Sequence, residues 1–136
     1  MLFTYIVNLI LKDRDKSLFF FENTKTDPRF VGVWKGTDHG KFFKGETNSW
    51  IINRKADGTM YITFKTIHAD DEVTYAEEKG VWCVIGDEYF EFRESDQNKD
   101  QYSFLFLSNN SIHFTINEEK SGEEPYNFVD FKMLLD

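Results

Sequence analysis

The chain has 136 residues, the length of one domain, and can bury a core without a disulfide or metal staple. Its formal charge of -8 excludes the cationic surface that neutralises phosphates, so neither nucleic acid nor an anionic membrane is an expected partner, whereas a basic protein is compatible. The lone Cys83 rules out an intrachain disulfide, and VWCVI places it in an apolar run as a buried thiol.

Leu2 to Leu11 is mostly apolar and too short to cross a bilayer as a helix. Leu2, Tyr5, Ile6, Leu9 and Ile10 fall on one helical stripe. This predicts a short helix packed on the domain, within a lead segment 1–29, and cytoplasmic residence. The alternative is export, with the apolar run as a signal remnant, although the charged residues expected before it and the small residues expected after it are missing.

From Phe30 to Asp136 the pattern is that of strands. Aromatic residues make up 18% of the chain and 15 are Phe, a composition suited to pleated, half-buried surfaces. Period-two alternation predicts strands over Phe30–Lys35, Ser49–Arg54, Thr59–Ile67, Thr74–Ile85, Tyr89–Glu94, Gln101–Ser108, Ser111–Asn117 and Tyr126–Leu134. Ala56-Asp57-Gly58, Gly86-Asp87 and Asn109-Asn110 supply turn chemistry between them. Gly36–Gly45 reads as a loop, and Gly80 as a bend in a long strand. No segment is long enough for a helical crossover, so the sheet is antiparallel and the simplest topology is a meander. The predicted fold is all-β: an eight-stranded antiparallel up-and-down barrel with a short N-terminal helix.

Gly32-Val33-Trp34, with Phe30 before it and Lys35-Gly36 after it, resembles the G-x-W opening of the calycins, which include the lipocalins. Trp50–Thr59, WIINRKADGT, is similar to the second hairpin of small bacterial lipocalin-like domains. The resemblance implies a barrel whose first-strand Trp34 plugs one closed end under the stem of a basic side chain. Lys132 is the favoured partner and Arg54 the alternative.

No constellation supports catalysis, a metal or a cofactor. His39, His68 and His113 lack metal-ligand spacing, GTDHGK fails the phosphate-loop pattern, and no nucleophile elbow is present. The expectation is therefore a non-enzymatic, soluble binding protein that holds a small apolar ligand inside the barrel. Its candidate lining is Ile52, Ile62, Phe64, Val81, Phe90, Phe92, Phe104, Phe106 and Phe114. That assignment turns Phe90 and Phe92 inward and leaves Glu91 and Arg93 in water. The alternative is an acidic immunity or inhibitor protein that neutralises a basic toxin. It would use the carboxylate-rich turns at Asp70, Asp71, Glu72, Glu118, Glu119, Glu123 and Glu124.

Overall fold

The computed structural model describes residues 26–40, 44–117 and 125–134. Eight strands follow one another: β1 (Gly32–His39), β2 (Thr47–Arg54), β3 (Thr59–Ile67), β4 (Val73–Ile85), β5 (Glu88–Arg93), β6 (Lys99–Ser108), β7 (Ser111–Ile116) and β8 (Asn127–Lys132). Each pairs antiparallel with its neighbour, and β8 returns to β1 through Trp34↔Lys132 and Lys35↔Phe131, so the sheet closes into a barrel. The up-and-down barrel is thus present. The helix expected over Leu2–Leu11, like most of the 1–29 lead, lies outside the described residues.

Local chemistry sets the hairpins. Between β2 and β3, Gly58 takes φ +91° and the Asp57 carboxylate accepts from the Thr59 amide at 2.9 Å, which fixes the turn and hence the register Ile52↔Ile62. Between β3 and β4, Asp70 caps the turn by accepting from the Glu72 amide at 3.1 Å. Gly80 is required for a steric reason. It sits where β5 joins β4, and a Cβ there would lie 1.8 Å from the Phe92 carbonyl oxygen.

The first strand is displaced from its predicted span. Phe30 is not part of it: Pro28–Phe30 forms one 3-10 turn, capped by Asp27, whose side chain accepts from the Arg29 amide. The turn drives Phe30 into the barrel end, where it is fully buried. Its ring stacks on Tyr89 at 5.4 Å and meets Phe104 and Phe106 edge-on at 5.0 Å. Gly32 adopts φ +134°, open only to glycine, and so carries the chain from this plug into β1. β1 then runs to His39, through residues that read as loop, because Trp34, Gly36 and Asp38 continue one buried face.

Antiparallel order places the starts of β1, β3, β5 and β7 and the ends of β2, β4, β6 and β8 at one end of the barrel. That end is filled by Phe30, Trp34, Trp82, Tyr89, Ile112 and Phe114. Trp34 is fully buried, donates to the Phe30 carbonyl at 2.8 Å, and lies under Lys132 Nζ at 5.8 Å and the Arg54 guanidinium at 6.0 Å. Both expected basic partners therefore flank the plugging indole.

Candidate functional site

Among the described residues, the opposite end of the barrel is open. There the end of β1, the start of β2, the end of β3, the end of β5, the start of β6, the end of β7 and the approach to β8 enclose a cavity of about 580 Å³.

Its walls are apolar and aromatic. Ile52, Ile62, Phe64, Ile116, Tyr102, Phe128 and Trp50 line it, with Trp50 edge-on to Phe128 at 5.2 Å and Tyr102 edge-on to Phe128 at 5.5 Å. Trp50 depends on its β1 partner. Gly36 stands opposite it, and a Cβ at that position would come within 2.5 Å of the indole. The absent side chain is the space the indole occupies.

Its floor is charged and buried. Arg54 and Asp130 are each 1% exposed, and Arg54 Nη2 donates to Asp130 Oδ2 at 3.0 Å. Trp50 Nε1 donates to the other Asp130 oxygen at 2.8 Å. Arg54 Nε donates to the Tyr89 hydroxyl at 2.7 Å, which itself donates to Glu91 at 2.8 Å. Arg54 Nη2 also lies 3.7 Å from Glu91. Burial raises the Glu91 carboxyl above its ordinary range, against the opposing pull of Arg54 and the Tyr89 hydroxyl. Burial also holds the Tyr89 phenol protonated. Burial disfavours the charged form of Arg54, but its contacts with Tyr89, Asp130 and Glu91 outweigh that cost, so the guanidinium stays charged. Arg54 Nη1 is buried without a hydrogen-bond partner among the described residues.

Its rim carries more carboxylates. Asp38, 2% exposed, accepts from the Tyr126 hydroxyl at 2.9 Å and from Asn48 at 3.5 Å. Burial, then the bond to Asp38 and its charge, raise the Tyr126 phenol. Glu46 pairs with His68 at 2.7 Å, and the other ring nitrogen of His68 meets the Thr74 hydroxyl at 2.8 Å. Arg93 pairs with Asp100 and Asp96.

Of the nine residues expected to line a ligand site, Ile52, Ile62 and Phe64 line this cavity. Phe114 is fully buried in the interior core, with Phe104 and Phe106 packed against that cluster at the plugged end. Val81, Phe90 and Phe92 are placed differently from the expectation. With Cys83 they form a separate buried cluster on the outer face of β4 and β5. Tyr89, Glu91 and Arg93 take the inner face instead, the reverse of the expected parity. The reason is non-local: Arg54 projects inward from β2 and requires counter-charges and a hydroxyl, and β5 provides them. Burial pushes the Cys83 thiol up to about 12.

Among the site residues that sequence reasoning missed are Asp38, Trp50, Glu91, Tyr102, Ile116, Tyr126, Phe128 and Asp130, and Arg54 as a floor group. A signal existed for two of the floor groups, Arg54 and Asp130. Arg54 shares the period-two face of Trp50 and Ile52, and Asp130 shares that of Phe128 and Lys132. The carboxylates expected to meet a basic partner split into two groups. Asp70, Asp71 and Glu72 sit exposed at the β3–β4 turn, while Glu118, Glu119, Glu123 and Glu124 lie outside the described residues. Among the described residues no group of three metal-ligating side chains converges, and no helix is long and apolar enough to cross a membrane.

No known protein family matches the chain, and no curated protein does. Among solved structures it is similar to one described as a de novo design of a fluorescence-activating beta barrel. The identity is 14% and the TM-score 0.49, with 78% of this chain and 95% of that chain covered. A likeness at that level bears on neither ligand nor activity. The closed barrel stands on the strand pairing itself.

Proposed function

We propose that this protein is a non-enzymatic binding protein that holds one small, partly apolar ligand in the open end of its barrel. One observation carries the reading: one barrel end is plugged by Phe30 and Trp34, and the other encloses about 580 Å³ with aromatic and aliphatic walls over a buried polar floor. A barrel whose interior served packing alone would be filled at both ends, since interiors pack at crystal-like density. The floor groups Arg54, Asp130, Tyr89 and Glu91 are engaged with one another, an arrangement suited to orienting a bound molecule. The lipocalin-like resemblance of Gly32-Val33-Trp34 is consistent with the same use.

Titration with Nile red, a neutral environment-sensitive dye, tests the proposal. The expected result is saturable one-to-one uptake by the full chain. Ile116→Trp, which places an indole in the cavity, should abolish it while leaving the thermal unfolding midpoint of the protein close to that of the parent. Absence of saturable uptake by the parent protein would overturn the reading.

A further inference from the structure

We infer that the cavity selects a ligand carrying a positively charged group, such as a protonated amine, which it seats at Asp38 among the aromatic walls. This inference rests on the binding reading above and gives its ligand a chemical class.

The decisive residue is Asp38. It is 2% exposed and lines the cavity, yet its partners are a phenol, Tyr126, and a long contact to the Asn48 amide. Among the described residues no cationic side chain lies within ion-pair distance of it. A buried carboxylate is normally paired with a cation, because desolvation is otherwise uncompensated. The remaining charges lining the cavity do not supply one. Arg54 is taken up by Asp130 and Glu91, Arg93 by Asp100 and Asp96, and His68 by Glu46.

The charge balance points the same way. Asp38, Glu46, Glu91, Asp100 and Asp130 line the cavity against Arg54, Arg93 and His68. Even with Glu91 left out of the count, the other four carboxylates exceed the two guanidiniums. The chain as a whole carries -8, so the long-range field adds to this bias. The aromatic faces of Trp50, Tyr126 and Phe128 suit an organic cation, which the ring quadrupole attracts and which also needs apolar contact.

Arg54 does not reverse the selection. A ligand carboxylate reaching its guanidinium would come close to Asp130 and Glu91, both already on it. The unsatisfied Nη1 suits a neutral acceptor, such as a carbonyl oxygen, a hydroxyl oxygen or a water.

Isothermal titration calorimetry on the full chain, at neutral pH, tests this with two matched series. The first is tryptamine, indole-3-acetate and 3-methylindole; the second is decylamine, decanoate and decanol. In at least one series the amine should bind about tenfold or more tighter than the acid of the same body, with the neutral compound between them. Asp38→Asn, confirmed folded by circular dichroism, should shrink that gap several-fold with little change for the neutral compound. The comparison of amine with acid in the parent protein needs no variant, so it decides the matter even if Asp38→Asn does not fold. If in neither series the amine binds more tightly than its acid, this inference is overturned and the binding reading stays intact. The same holds for a gap that survives in folded Asp38→Asn. Failure of all six compounds overturns the binding reading itself.

Discussion

Arg54→Met is the sharpest test of how the barrel floor is held together. The substitution keeps the apolar stem and removes the cation that Asp130 meets at 3.0 Å and Glu91 at 3.7 Å. It also removes the donor to the Tyr89 hydroxyl at 2.7 Å. Asp130, 1% exposed, and Glu91, 9% exposed, are then buried without a counter-charge. Breaking a buried pair in this way costs about 3–5 kcal/mol, a large share of the ~5–15 kcal/mol that holds a domain folded. Urea unfolding at neutral pH should register that loss as a lower midpoint. The loss should shrink near about pH 4, because protonation neutralises carboxyls left buried without a counter-charge, and such groups lose stability as pH rises. The triple variant Arg54→Met, Glu91→Gln, Asp130→Asn should recover most of the deficit. It removes every charge but keeps an acceptor for Trp50 Nε1 and another for the Tyr89 hydroxyl. A loss under about 1 kcal/mol, or one independent of pH, would refute the claim that Arg54 is the compensating charge of the floor.

Trp34→Ala should cost about 3–5 kcal/mol in urea unfolding, because a fully buried indole leaves a cavity and an unpaired Phe30 carbonyl. Gly36→Ala should cost about 1–3 kcal/mol through overpacking, since its Cβ would fall 2.5 Å from the Trp50 indole. In combination with Trp50→Phe the two costs should sum to less than their separate values, which a double-mutant cycle measures. Glu91 has its carboxyl raised above the ordinary 4.5, so it binds more protons folded than unfolded in the window just above that pH. The stability of the parent protein relative to Glu91→Gln should therefore fall as pH rises from about 4.5. A difference that is flat or rising across that window would contradict the assigned environment.

The hairpins were legible in the sequence because turn chemistry and period-two alternation are local. Thr59–Ile67 matches its predicted span, and β2 and β4 to β8 lie within two residues of theirs at each end. Asp57-Gly58 dictates one turn, and Met60, Ile62 and Phe64 share one face whatever the rest of the chain does. The inner parity of β5 was not legible. YFEFR offers two aromatic residues on one face and a carboxylate and a guanidinium on the other, so burial alone favours the phenylalanines inside. Only closure of the barrel brings Arg54 to Tyr89 and Glu91, 35 residues or more along the chain, and makes the charged face the inner one. Phe30 escaped for a related reason. Its alternation continues that of β1, and only the plugged end shows that a 3-10 turn and Gly32 detach it to fill the barrel. Local sequence thus determined where strands begin, turn and end. The tertiary structure decided which face is inside and which barrel end is open, because both depend on charges and volumes that meet only after the eighth strand returns to the first.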